Sequence, residues 1–184
     1  MEYTKLDFTK KKFKKFGGES IENIVDYLKD YVKKGDDMRV IVGCDSQQKR
    51  RFTLYALTIV LYDQERHNGA HVLFMRIREK KERDLTKRLM NESLYALDLS
   101  EWLDKELKDY YEIPKFGKCK YSGNYPTKRI EIHVDINPNE GNDKHNRSHL
   151  MYNSIMGMLS GCGFMVKAKP DSYSASCAAD LLCH

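Results

Sequence analysis

The 184-residue sequence predicts a mixed α/β domain, a sheet with helices on both of its faces. Three observations carry that expectation. Residues 38–78 hold three consecutive runs rich in apolar and β-branched residues, joined by short links, which read as an antiparallel meander. From Glu82 to about Tyr110 the apolar residues recur at helical spacing instead. The rest alternates strand, helix, strand, helix, an order that sets further strands beside the meander with helices between them.

Residues 1–16 (MEYTKLDFTKKKFKKF) hold six lysines against Glu2 and Asp7, a net +4, and Gly17-Gly18 then breaks the chain. Residues 1–18 therefore read as a basic N-terminal arm and residues 19–184 as the folded domain. Ser20 is placed as the N-cap of an extra helix ahead of the sheet, with Ile21, Ile24, Val25, Leu28 and Val32 at helical spacing until Gly35. Met38–Cys44 (MRVIVGC) reads as a short buried strand and Phe52–Tyr62 as a longer one. After turn residues at Asp63–Gly69, His71–Arg78 alternates Leu73, Met75 and Ile77 against Phe74, Arg76 and Arg78. Leu85, Leu89, Ala96, Leu99 and Leu103 mark the inner face of the long helix.

Tyr111–Lys128, with Pro114, Gly117, Gly123 and Pro126, is expected to be irregular. Arg129–Asp135 (RIEIHVD) reads as a strand, 137–142 as a loop, and Arg147–Ser160 as a helix. Phe164–Lys169 is the last strand, and Tyr173 onward a helix of small residues. The count is five strands.

Composition narrows the class. At 21.6 kDa, 41% hydrophobic and 32% charged, the chain is expected to be one soluble domain, and disorder, a collagen-like repeat and a disulfide miniprotein are excluded. The longest apolar stretch, Leu54–Tyr62, is broken by Thr58 and is far shorter than the ~20 residues of a membrane helix. The N-terminus has no apolar core of a secretory leader, so a cytoplasmic location and no membrane partner are expected. Cys44, Cys119, Cys162, Cys177 and Cys183 form an odd set with no C-x-x-C pair, which favours reduced thiols over disulfides or a zinc ribbon.

The informative residues are acids in apolar settings. Asp45 follows VIVGC, Asp135 closes IEIHVD, and Glu92 falls on the apolar stripe of the long helix. Asp180 is flanked by Ala178-Ala179 and Leu181-Leu182, and Asp171 ends the last strand in Lys169-Pro170-Asp171-Ser172. A carboxylate near a core needs a countercharge, and oxygen-only clusters select Mg²⁺ or Mn²⁺ over zinc. Each acid alone also has a structural reading: Asp45 as a turn cap, Asp135 as a loop opener, Glu92 as a partner of Arg88.

Taken together, Gly43-Cys44-Asp45-Ser46-Gln47, Asn91-Glu92-Ser93, His133-Val134-Asp135-Ile136-Asn137 and Lys169-Pro170-Asp171-Ser172-Tyr173-Ser174-Ala175-Ser176 with Ala179-Asp180 resemble the ribonuclease H-like proteins of the YkuK type, predicted nucleases. The resemblance runs from about residue 38 to the C-terminus. It implies a ribonuclease H-like fold with a five-stranded mixed sheet, the first three strands antiparallel and the other two parallel, flanked by helices. It also implies a two-metal carboxylate site for phosphodiester hydrolysis, with Asp45, Glu92, Asp135 and Asp180 as ligands and Asp171 competing with Asp180 for the fourth place. Two Mg²⁺ or Mn²⁺ ions would be bridged by Asp45 and Asp135. His133, on the same strand face as Asp135, is the candidate for a supporting contact or a proton shuttle.

A nuclease must also hold the phosphate backbone of RNA, DNA or a hybrid. Ser46, Gln47, Lys49, Arg50, Arg51, Lys118 and Lys120 form the candidate binding set. Arg76, Arg78, Lys80, Lys81 and Arg83 crowd the end of the third strand, and Tyr121 and Tyr125 sit among the lysines of the irregular segment. The competing class is a non-catalytic nucleic-acid-binding or assembly module on the same fold, in which the acids are structural. A thiol hydrolase using Cys44 or Cys162 with His133 is disfavoured because Cys44 lies inside an apolar strand. A zinc pair at His145 and His149 lacks a third ligand nearby in sequence.

Overall fold

The computed structural model describes residues 5–35, 37–65, 70–138 and 148–183, and for residues 173–177 the backbone alone. Among these residues the sheet has seven strands, not five. The meander is formed by β3 (Met38–Gln48), β4 (Phe52–Asp63) and β5 (Ala70–Lys80), antiparallel throughout. Two parallel strands follow, β6 (Ile130–His133) beside β3 and β7 (Met165–Lys167) beside β6.

Of the two additional strands, one comes from the lysine-rich segment and the other lies just after Gly17-Gly18. β1 (Phe13–Lys15) and β2 (Ser20–Ile21) form a small hairpin, and β1 pairs with the outer edge of β5. The physical reason is burial: Phe13 is fully buried, and Phe8, on a 3-10 turn just before it, stacks on Trp102 at 5.6 Å between ring centroids. Apolar area removed from water at two rings outweighs the pairing of a lysine-rich strand, in which Lys14 is exposed and Lys15 is paired with Glu19. Ser20 belongs to β2, so Asn23 rather than Ser20 caps the first helix, α1 (Ile24–Val32), accepting from the backbone N–H of Val25 and Asp26.

The long helix α2 (Leu85–Leu107) starts at Asp84, whose side chain accepts from Thr86 and Lys87 N–H. α3 (Tyr152–Gly161) follows a 3-10 turn, and α4 (Tyr173–Cys183) ends the chain. Alternation decides which layer each strand residue joins. Val40, Val42, Tyr55, Leu57, Ile59, Leu73, Ile130 and Ile132 pack into one large core with α1, α2 and α3. On the opposite face Ala56 and Phe74 meet Leu182 and Cys183 of α4, and Ile41 and Val60 meet Ala178. Among the described residues no helix is long and apolar enough to cross a membrane.

α2 is locked to the start of β6 by one acid. Asp104 is 6% exposed and accepts from Arg129 N–H at 2.9 Å, from the Arg129 guanidinium at 3.2 Å and from Lys128 at 3.2 Å. Asp104→Ala should destabilise the protein by about 2–3 kcal/mol, because it strands a half-buried guanidinium and a strand-end N–H. A urea titration checks this. The midpoint should fall with an unchanged slope, and an unmoved midpoint would mean the cluster contributes nothing.

Candidate active site

β3 is longer than its apolar run. Pairing with β4 continues to Gln48, so Asp45 lies within the strand, opposite Ala56, rather than at its end. The same alternation sends its neighbours to opposite layers. Asp45 shares the α4 face with Ile41, whereas Ser46 shares the α2 face with Val42 and Cys44. There the Ser46 hydroxyl donates to Glu92 Oε1 at 2.5 Å. Glu92 takes its place on the inner stripe of α2 and is 7% exposed.

Asp45 and Asp135 each lie two residues beyond the paired Gly43 and His133, which brings them to the same end of neighbouring parallel strands. Past that pair the backbone stays registered with the final strand region, Val134 N–H donating to Lys167 O and Lys169 N–H to Ile136 O. Glu92, His133 and Asp135 line one small cleft together with Cys44 and Ser93. Two acids from different layers thus open into one space, with Asp45 beside them.

The electrostatics record that crowding. Burial, and then the charges of Asp135 and Asp180, push the Asp45 carboxyl up to about 6, against a hydrogen bond from the Ser46 N–H and the pull of Arg88. Burial and the Asp45 charge push Glu92 up to about 8, against the Ser46 hydroxyl and Arg88. Arg88 stands one helical turn before Glu92. Its influence is exerted through space, since no ion pair joins the two, and its Nε is buried without a hydrogen-bond partner among the described residues.

The fourth position separates two candidates. Asp180 is exposed on α4, and its charge is felt at Asp45. Asp171 is exposed and ion-paired to Lys120 at 2.5 Å, which holds its carboxyl below the usual range. The Asp180 charge is felt at Asp45, whereas Asp171 is engaged by Lys120.

His133 is 3% exposed and engaged with Glu131 at 2.6 Å, and Glu131 also takes Lys167 at 2.6 Å. Burial alone would raise Glu131, but those two partners outweigh it and the net shift is downward. Asp135 is ion-paired to Lys169. These two lysines were not among the candidate residues, because their role depends on the β6–β7 register rather than on any local motif.

The binding set is dispersed. Lys49 is hydrogen-bonded to Gln47, and Ser46 faces Glu92. Arg50 and Arg51 sit at the β3–β4 turn, while Lys118 lies over the Tyr125 ring at the far side of the molecule's acidic cleft from them, beside the groove that Lys120 and Lys169 line. His145 lies outside the described residues, so the histidine pair has no counterpart to report.

Among the described residues no three His, Cys, Asp or Glu side chains are gathered to hold a metal as they stand. The chemistry of the donor set nevertheless fits a hard divalent cation. The donors are carboxylate oxygens, two of them are raised by burial and by neighbouring acids, and an ammonium group already occupies the third.

The chain matches the family described as Ribonuclease H-like over residues 19–183. No curated protein and no solved structure matches it significantly.

Proposed function

Because the chain belongs to the ribonuclease H-like family, we propose that its carboxylate end is a divalent-metal-dependent nuclease site acting on phosphodiester bonds. The observation that carries this is the convergence of Glu92 and Asp135, from helix and strand, on one cleft beside a raised Asp45. Nothing in a stable fold requires a buried acid to face two half-buried ones, and doing so raises the free energy of the charged form of each.

Asp45, Glu92, Asp135 and Asp180 would hold the cations. Two Mg²⁺ or Mn²⁺ ions would supply stabilisation of charge on the attacking and leaving oxygens and a more acidic attacking water. The chain's own residues do the rest. The Ser46 hydroxyl orients the Glu92 carboxylate, and Lys169 holds Asp135 until a stronger cation replaces it. Arg88, whose charge is felt at both Asp45 and Glu92, is the cation that would meet phosphate charge beside them. Within the family, we take the chain to be of the YkuK type, which its four motifs resemble. RNA, DNA and their hybrid all present the phosphodiester this site would take.

The expected result is Mn²⁺- or Mg²⁺-dependent cleavage in a screen of single-stranded, duplex, hybrid and branched nucleic acids, abolished by EDTA. Absence of cleavage on every substrate with either metal would sink the catalytic reading. A second reading, a nucleic-acid-binding or assembly module on this fold, is favoured by the Lys169–Asp135 pair, which neutralises one acid without metal. Titration calorimetry separates them: the nuclease binds Mn²⁺ at the acids, and the module does not.

A further inference from the structure

The basic residues around the carboxylate end are not equivalent. Lys120 is held by Asp171, Lys167 by Glu131, Lys169 by Asp135, and Lys128 and Arg129 by Asp104. The basic residues beside the β6–β7 end are therefore largely neutralised within the fold. At the opposite end of the same row the balance differs. A trough of about 480 Å³ is lined by Lys49, Arg50, Arg51, Arg76, Arg78 and Phe52, with Leu54 at its floor and no acid in its lining. None of its five cations forms an ion pair among the described residues.

The trough continues the acidic face. Asp45 pairs with Ala56 and Ala56 with Arg76, so the acid and the arginine share one row and one face, two strands or roughly 10 Å apart. The next row toward the turn is Gln47, Leu54 and Arg78. Arg76, which lines the trough, is anchored by its Nε to the Leu182 carbonyl at the end of α4, with its guanidinium 5.5 Å from the Phe74 ring. The Arg78 guanidinium lies 5.3 Å over the half-buried Phe52 ring.

We propose that this trough binds the backbone of a single nucleic-acid strand and feeds it to the carboxylates, with Phe52 and Arg78 as a stacking platform for one base. This deepens the nuclease reading and rests on it. Cations flanking an aromatic ring match an unpaired strand, which offers both phosphates and free base faces. A duplex keeps its bases stacked within the helix and would leave the ring without a ligand.

The test is fluorescence anisotropy in EDTA with a labelled oligouridylate of about 12 nucleotides and a duplex RNA of equal length. The wild-type protein should bind the single strand more tightly. Arg50→Ala combined with Arg51→Ala should weaken that binding about tenfold or more and lower the salt slope by roughly 1.4, at ~0.7 per phosphate contact. Phe52→Leu keeps the floor apolar and should weaken the single strand about tenfold while leaving duplex binding unchanged. Lys105→Ala combined with Lys108→Ala, the same loss of two charges at exposed positions at the end of α2, should match wild type, and thermal melts should show each variant folded. Equal binding by the trough variants, preference for the duplex, or no binding of the single strand overturns the proposal. Cleavage that is indifferent to the trough overturns it and leaves the nuclease reading standing. Trough-dependent binding without cleavage under either metal does the reverse.

Discussion

Asp135→Asn should reduce metal-dependent cleavage on the order of 10³-fold while leaving the protein folded. The substitution is isosteric and removes only the charge. Asp135 keeps about a fifth of its side chain in water and faces Lys169, so losing that ion pair should cost about 1 kcal/mol or less. The catalytic effect is larger because the carboxylate contributes one of the anionic oxygens that the cations need, and an amide oxygen donates far less charge. A second consequence follows from the coupling: with Asp135 neutral, one of the charges that raises Asp45 disappears, so the Asp45 carboxyl should move back toward its ordinary value. A carboxyl-resolved NMR titration reads that shift directly. Asp180→Asn should resemble Asp135→Asn in activity and in the Asp45 titration, whereas Asp171→Asn should lose far less. If Asp171→Asn is the more damaging of the two, the fourth acid has been misassigned.

Much of this site could be read from pattern because its parts obey local rules. The meander is legible in β-branched runs separated by turn residues, and Glu92 stands out because a helical stripe of Leu85, Leu89, Ala96 and Leu99 predicts an apolar residue near that position. Asp135 is legible as the end of a strict alternation. The hairpin β1–β2 is not, since three residues and two residues are too short for any period to register, and lysines mask the single buried ring of Phe13. Nor is the extension of β3 through Ser46-Gln47-Gln48, where polar residues are carried into the sheet by pairing with the more apolar β4. The countercharges at Lys167 and Lys169 escape a linear reading altogether. They meet Glu131 and Asp135 only because the ladder between β6 and β7, and the backbone just beyond it, sets them side by side. The unequal neutralisation of the basic residues is a fact of the same kind, fixed by which loop packs against which acid.

Glu92→Gln should stabilise the metal-free protein at alkaline pH, the reverse of what removing a buried hydrogen-bonded group usually does. In the folded chain burial and Asp45 lift Glu92 from 4.5 to about 8, and Asp45 itself rises from 3.8 to about 6. Between the unfolded and folded values the native state binds protons that the unfolded chain has released, so stability falls as pH rises through that window. The contribution is fully present below about pH 4 and is lost by pH 9. Glutamine copies the neutral acid, keeps an acceptor for the Ser46 hydroxyl, and has no charge to desolvate. The variant should therefore match wild type at pH 5 and exceed it by about 2–4 kcal/mol at pH 9. Urea midpoints in EDTA at the two pH values measure the difference between the proteins, in which titrating groups not coupled to Glu92 cancel. Mg²⁺ at roughly a hundredfold its dissociation constant should then restore about 2.7 kcal/mol to wild type at pH 9 and much less to the variant. A variant less stable than wild type at pH 9 would mean that the Glu92 charge is already compensated inside the fold, and the site would have no need of a cation. The same substitution should abolish cleavage, so that the residue whose charge weakens the apo fold is one the reaction requires.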